Sequence, residues 1–216
     1  MKVVDVIQGT SEWHDYRAGR LTASVINLAL AKSKDGKPGA SSENLAAMII
    51  AERLTGVPRE TYVSAPMLRG TEHEPEARAL FAMLYGVSVT EVGFVDHPTI
   101  EMAGCSPDGL VNGDGLVEIK SPNTSTHIRT LLGVPVNGGY MKQIQFQLAC
   151  TGRDFCMFCS YDPRMPAEMQ LFTKKVSRDN KMIAELEHGA RIFLDRVSTT
   201  ETKLRNLYLT EKEAAE

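Results

Sequence analysis

The stretch that most constrains the fold is residues 105–120, Cys-Ser-Pro-Asp-Gly-Leu-Val-Asn-Gly-Asp-Gly-Leu-Val-Glu-Ile-Lys. Its centre, residues 112–115, consists of Asn, Gly and Asp, which tolerate positive φ, and apolar pairs lie on both sides. This pattern is typical of a tight β-hairpin. The hairpin places Asp108 and Glu118 on adjacent strands.

The second hairpin strand has two different faces. Side chains alternate along a strand, so Glu118 and Lys120 lie on one face and Val117 and Ile119 on the other, towards a core. We therefore expect one face of the hairpin to be charged. A surface hairpin with a solvated Glu-Lys pair is the alternative interpretation.

The charged face has the composition of a magnesium site. Two carboxylates from neighbouring strands, here Asp108 and Glu118, can hold Mg²⁺ together with waters and phosphate oxygens. The ammonium of Lys120 can position the attacking water or, if its pKa is lowered, act as a base. Pro107-Asp108, nine residues and then Glu118-Ile119-Lys120 matches the PD-(D/E)xK nuclease signature.

Composition limits the class of protein. The chain has 216 residues, of which 43% are hydrophobic and 24% charged, as in ordinary folded domains. No linker divides it, so we expect a single domain over 1–216. The net charge of −3 argues against a protein that coats nucleic acid over its whole surface, but it leaves room for a local basic channel.

The N-terminus lacks a signal-peptide core and no apolar run approaches the ~18 residues of a membrane span, so we expect a cytoplasmic protein without a membrane partner. The four cysteines do not form a disulfide pattern. Cys156-x-x-Cys159 suggests zinc, but it lacks a second ligand pair and in a strand the two side chains face opposite sides. We expect core cysteines.

The remaining elements alternate helices with strands and predict an α/β protein whose central mixed β-sheet is flanked by helices. The C-terminal helix is expected to pack on the core or on a neighbouring subunit. Pro75 is expected to kink or restart the helix that contains it. Helices are expected over 10–20, 42–55, 66–85, 124–132, after 138–139 and over about 179–208, and strands over 87–96, 155–161 and 168–176.

Arg17 is an unusual member of the first helix. It lies close to a predicted helix start at residues 22–24, whose free N–H groups could share an anion site with its guanidinium. An exposed arginine beside an ordinary helix cap is the alternative.

Several motifs in the same order resemble the lambda exonuclease family, the YqaJ-like viral recombinase exonucleases of the PD-(D/E)xK superfamily. The resemblance covers nearly the whole chain. It rests on Trp13-His14-Asp15-Tyr16-Arg17 with Leu21-Thr22-Ala23-Ser24, Gly70-Thr71-Glu72-His73-Glu74 before residues 77–81, residues 105–109, residues 115–120 with Pro122, residues 140–145, and Tyr161-Asp162-Pro163-Arg164-Met165.

The resemblance implies a restriction-endonuclease-like core and a Mg²⁺-dependent, processive exonuclease, with Mn²⁺ as a substitute. Such an enzyme digests one strand of duplex DNA from its 5′ end, releases mononucleotides and leaves a 3′ single strand. The family assembles as a ring-shaped homotrimer and acts with a single-strand annealing protein in phage-type recombination, inside the bacterial host cell.

The resemblance also implies residue roles. It places Asp108, Glu118 and the Ile119 carbonyl on the metal and Lys120 at the attacking water. The further residues that it implies are Glu74 as an auxiliary acid, Gln143 and Tyr140 at the catalytic site, Arg17, Ser24 and Ser106 in a pocket for the 5′-phosphate, and Met67 as a strand-separating wedge.

Two other functions remain as alternatives. A PD-(D/E)xK endonuclease or junction resolvase would use the same hairpin but cut internally. A DNA-end-binding scaffold would keep the fold without chemistry and recruit an annealing protein. Because Asp108, Glu118 and Lys120 are all present, the sequence favours an enzyme.

Overall fold

The computed structural model describes residues 1–59 and 65–209, with the backbone alone for 65–67. Helices and short strands alternate along the chain. They are β1 (Lys2–Val4), α1 (Ser11–Arg17), β2 (Leu21–Thr22), α2 (Ile26–Ala29), α3 (Ala40–Thr55), α4 (Ala65–Tyr85), β3 (Val89–Thr90), β4 (Phe94–Asp96), β5 (Ala103–Cys105), β6 (Gly109–Val111), β7 (Gly115–Lys120), α5 (Thr124–Leu131), α6 (Gly138–Thr151), β8 (Phe155–Tyr161), β9 (Leu171–Ser177) and α7 (Asn180–Tyr208).

The larger sheet carries the hairpin at its centre. Its strand order is β3-β6-β7-β8-β9, and β7 pairs antiparallel with β6 and parallel with β8, so the expected mixed sheet is confirmed. The hairpin loop is residues 112–114, in which Asn112 rather than a glycine adopts positive φ. Its register opposes Gly109 to Val117, so Asp108 lies just beyond the last residue pair of the two strands.

A smaller sheet was not predicted from the sequence. Its order is β1-β4-β5-β2, and β2 pairs parallel with β5. The expected strand over 87–96 is therefore wrong in one respect, because it divides into β3 in the larger sheet and β4 in the smaller one. The chain crosses between the sheets at Gly93, where a Cβ atom would collide with the carbonyl oxygen of Val6.

The faces of β7 differ as expected for alternating side chains. Val117 and Ile119 pack against α4 in one apolar cluster, while Leu116 packs against α6 in another. The Glu118 face is thus covered by a helix and is not a solvated surface. Cys156 and Cys159 join these two opposite clusters, and all four cysteines are buried and free.

The long helices agree with their predicted positions. Helix α7 packs on the core through a buried stripe that includes Leu186, Phe193 and Val197, but it meets α3 and α6 rather than a sheet. Helix α4 runs without interruption through Pro75, so the expected restart is wrong. None of the helices in the described ranges is long and apolar enough to cross a bilayer.

Alanine substitutions at two hairpin glycines, Gly109 and Gly113, should have different effects on stability. A Cβ atom on Gly109 would strike Val89 and approach Val117 Cγ1 to 3.1 Å, whereas one on Gly113 would meet nothing, and Gly113 has no left-handed φ. We expect Gly109→Ala to lower the free energy of unfolding by about 1–3 kcal/mol, as overpacking does. Urea unfolding measures the effect.

Gly113→Ala is the matched control in the same hairpin. It should be neutral or stabilise the fold by up to about 1 kcal/mol, because alanine lowers the conformational entropy of the unfolded chain. Equal urea midpoints for the two variants would contradict the close packing of β3 against Gly109.

Candidate active site

The carboxylate of Glu118 lies beneath α6, and its side chain is only 1% exposed. Gln143 Nε2 donates to Glu118 Oε1 at 2.7 Å, and Gln147 Nε2 donates to Glu118 Oε2 at 2.6 Å. Lys120 forms an ion pair with Oε1. Burying a carboxylate is costly unless it is paired and hydrogen-bonded, and these three donors meet that need.

The Asp108 side chain binds the backbone of β7 at a position where β6 no longer pairs with it. Its Oδ2 atom accepts a hydrogen bond from the Ile119 backbone N–H at 2.6 Å, beyond the last pair of β6 and β7. The N–H and C=O of one strand residue point to the same side, so the Ile119 carbonyl faces Asp108 as well. Within the described residues, Asp108 Oδ1 has no hydrogen-bond partner.

Arg78 on α4 connects Glu74 to the hairpin. Its guanidinium forms ion pairs with Glu74 and with Glu91, the latter at 2.8 Å, and Nε donates to the Asp108 backbone carbonyl at 2.9 Å. Glu74 therefore joins the site although Pro75 follows it. Burial raises the pKa of Glu74, Arg78 opposes this shift, and the nearby charge of Glu118 adds to it.

The charges of the site perturb one another strongly. Burial and then the charge of Glu118 raise the pKa of Asp108 well above its ordinary value. Burial alone would lower the pKa of Lys120, but Glu118 and Asp108 outweigh it and raise that pKa. A lowering of this pKa by a nearby cation stays a prediction. Lys120 is an ammonium that donates hydrogen bonds.

The donor set fits a hard divalent cation. Asp108 offers a free carboxylate oxygen, Ile119 a carbonyl, and Glu118 a carboxylate that uses three of its about four lone-pair positions. In the described ranges, no three His, Cys, Asp or Glu side chains form a ready-made metal cage. Mg²⁺ needs none, because it keeps several waters and takes one or two carboxylates.

Arg17, Trp13 and Ser106 form a second cluster beside the carboxylates. The Arg17 guanidinium lies over the Trp13 ring, 3.8 Å from its centroid, and Nη1 donates to Ser106 Oγ at 3.5 Å. Trp13 Nε1 also donates to this hydroxyl, at 3.0 Å. Ser106 is two residues before Asp108, so the two clusters adjoin.

The pairing of β2 with β5 places Ser24 near Ser106. Thr22 on β2 opposes Gly104 on β5 in a parallel pair, so Ser24 and Ser106 each lie two residues beyond the same end of the ladder. A helical segment begins here as expected, but it is short, because a 3₁₀ turn, Ala23–Val25, leads only into the single turn of α2. Ser24 is exposed and its hydroxyl is 3.1 Å from Thr22 Oγ1.

Other expected site residues fall in different places. Tyr140 lies next to Lys120, whose Nζ is 5.1 Å from the ring centroid. Gln143 contacts Glu118 as described above. The Met67 side chain lies outside the described residues, so its wedge role stays a prediction.

Sequence reasoning missed Gln147, Arg78 and Trp13 as site residues. Gln147 is four residues after Gln143 and so lies on the same helix face, which is a signal that the sequence contained. Arg78 is likewise four residues after Glu74. Trp13 had no such signal, because its contact with Ser106 joins distant parts of the chain.

Comparison with known proteins identifies similar chains. The family model of the YqaJ-like viral recombinase domain matches residues 12–154. None of the curated protein sequences compared with the chain is significantly similar to it.

Solved structures resemble the whole fold. An alkaline exonuclease from Laribacter hongkongensis (LHK-Exo) is 45% identical, with a TM-score of 0.85, over 91% of this chain and 97% of that one. The same enzyme in complex with dAMP matches equally. A phage related exonuclease from Haemophilus somnus 129PT is 12% identical, with a TM-score of 0.66, over 86% of this chain and 96% of that one, and shows the shared fold alone.

We expect Asp108→Asn to stabilise the metal-free protein. Burial and Glu118 disfavour the ionised Asp108, and asparagine removes that charge. In EDTA the midpoint of thermal unfolding should rise by at least about 2–4 °C, the effect of 1 kcal/mol in a domain of this size. Addition of Mg²⁺ should stabilise the wild type more than the variant.

Asp114→Asn, in the hairpin loop, is the matched control and should leave both midpoints unchanged. Differential scanning fluorimetry with and without Mg²⁺ compares the three proteins. An equal Mg²⁺ response in wild type and Asp108→Asn would contradict Mg²⁺ binding by Asp108.

Proposed function

The chain belongs to the YqaJ-like viral recombinase family, and from this premise we propose that it is a Mg²⁺-dependent, processive 5′-to-3′ exonuclease on duplex DNA. It releases 5′-mononucleotides and leaves a 3′ single-stranded tail for recombination by strand annealing. Mn²⁺ substitutes for Mg²⁺.

The observation that carries this proposal is the adjacency of an anion site to the carboxylates. Within the described residues Arg17 forms no ion pair, and its guanidinium contacts Ser106, two residues before Asp108. A guanidinium binds phosphate through charge-assisted hydrogen bonds. A terminal 5′-phosphate held by Arg17, Ser24 and Ser106 therefore brings the first phosphodiester close to Asp108 and Glu118.

Each side chain then has a chemical task. Asp108, Glu118 and the Ile119 carbonyl would hold Mg²⁺, and the ion would supply Lewis-acid chemistry by favouring ionisation of water and neutralising negative charge on the phosphate. Lys120, as an ammonium, orients the attacking water and stabilises the pentacovalent phosphate. Gln143 and Gln147 fix Glu118, and Glu74 supplies an auxiliary carboxylate.

The relatives support the reaction class. LHK-Exo is an alkaline exonuclease whose structure was solved with dAMP, a deoxynucleoside monophosphate. A site that holds such a molecule suits an enzyme that releases mononucleotides. An internal cutter with the same hairpin has no need for a terminal-phosphate pocket.

A ring-shaped homotrimer around DNA is part of the proposal. It explains how a chain with net charge −3 stays on a polyanion, because basic groups can line a channel while acidic groups face outwards. The proposed partners are duplex DNA ends and a single-strand annealing protein, and the proposed location is the cytoplasm of the bacterial host cell. The wedge role of Met67 also belongs to this proposal.

End-labelled DNA tests the direction of digestion. With Mg²⁺, a label on the 5′-terminal nucleotide should appear as mononucleotide at once, whereas a 3′ label on the digested strand should stay in long fragments. Asp108→Ala should lower the rate of digestion by at least about 100-fold. Loss of a residue that only orients a metal ligand typically lowers activity by about 10–100-fold. Asp114→Ala is the control and should digest normally.

Covalently closed circular DNA completes this experiment, since an exonuclease needs an end. Cleavage of the closed circle would support the endonuclease alternative. DNA-end binding without digestion by the wild type would support the scaffold.

Light scattering at micromolar concentration tests the ring. We expect a mass about three times the 23.8 kDa of one chain. A monomer that digests long duplexes without dissociating would contradict the ring as the basis of processivity.

A further inference from the structure

Glu52 of α3 connects two separate arginine-bearing segments. Its side chain is buried, and Oε2 accepts a hydrogen bond from the Gly19 N–H at 2.8 Å, two residues after Arg17. Oε1 accepts from the Arg59 N–H at 3.2 Å and lies 3.6 Å from Arg59 Nε. One carboxylate thus fixes the turn after α1 and the arginine after α3.

Arg59 has donor capacity that the described residues do not use. Its Nη1 atom is buried and has no hydrogen-bond partner among them, although one third of the side chain is exposed. A buried donor without a partner is unfavourable, because it has lost the hydrogen bonds that it makes with water. A ligand that reaches Arg59 Nη1 would supply the missing hydrogen bond.

The local charges do not balance. Burial, and then the positive charge of Arg59, lowers the pKa of Arg17 to about 10, so the Arg17 guanidinium remains charged at neutral pH. Arginine side chains in general stay protonated in proteins, so the cluster contains two cations. Glu52 provides one negative charge for the two cations, and within the described residues Arg17 has no ion pair. The cluster therefore favours an anion between the two arginines.

We propose that Arg59, held by Glu52 beside Arg17, is a second arginine of the phosphate pocket and makes it selective for a terminal phosphate monoester over a phosphodiester. This inference rests on the proposed 5′-phosphate pocket. A monoester carries about −1.5 to −2 charges at neutral pH, whereas a diester carries one. Arg17 binds the negative charge that a monoester and a diester both carry. Arg59 binds the additional negative charge of the monoester.

Binding in EDTA tests the inference without cleavage. The probe is a fluorescent DNA hairpin duplex with one open end, whose 5′ terminus carries a phosphate, a methyl phosphodiester or a hydroxyl. Wild type should bind the three in that order of decreasing affinity. Arg59→Gln should weaken the phosphate form by about tenfold, as expected for one charge-assisted contact, and bring it level with the methyl diester.

Salt dependence gives an independent readout. For the phosphate end, Arg59→Gln should reduce the slope of log Kd against log salt by about one, the effect of one lost phosphate contact. The slope for the hydroxyl end should not change. Lys181→Gln, an exposed charge at the start of α7, is the control and should preserve the order of the three ends.

The outcomes separate the two proposals. Equal wild-type affinity for phosphate and hydroxyl ends would overturn the 5′-phosphate pocket itself. A wild-type preference that Arg17→Ala abolishes and Arg59→Gln leaves intact would overturn the role of Arg59 alone, as would equal weakening of all three ends. Arg59→Lys keeps the charge and should retain a monoester preference, so its loss would contradict the charge-based selectivity if Arg59→Gln fails to fold.

Discussion

The buried carboxylate of Glu118 is the interaction on which the arrangement of the molecule depends. A negative charge with 1% exposure persists only where donors reach both of its oxygens. Lys120 supplies one donor from the same strand, but Gln143 and Gln147 must come from α6. Helix α6 therefore has to cross this face of the sheet, and its other side packs into the clusters that hold α2 and α7.

The site combines side chains that are far apart in the sequence. Helix α1 supplies Arg17, α4 supplies Glu74, and the segment between the two sheets supplies Ser106 and Asp108. The smaller sheet has strands of only two or three residues, yet its β2-β5 pair places Ser24 and Ser106 beyond the same end of one ladder, and Ser106 precedes Asp108 by two residues. Ser106 of the proposed phosphate pocket, Asp108 and the β6-β7 hairpin are successive parts of one backbone segment.

Features with a strong local signal were predictable from the sequence. The hairpin, the long helices and the Asp108, Glu118 and Lys120 trio follow from turn residues and periodicity. Strands β1, β2 and β5 have only two or three residues, too few to show a period of two. The division of 87–96 depends on a distant residue, because the backbone at Gly93 lies against the carbonyl oxygen of Val6. The raised pKa of Lys120 depends on the joint burial of three charges, which no motif encodes.

The hairpin register limits how the length of this gene product can vary during evolution. Residues 112–114 lie outside the paired positions, so a loop of another length can replace them while Gly109 still opposes Val117. A single-residue insertion between Gly115 and Glu118 has a different result. Because side chains alternate, it would turn Glu118 towards α4 and present an apolar side chain to Gln143 and Gln147. Natural length variation should therefore concentrate at the tip of this hairpin and be absent from its second strand.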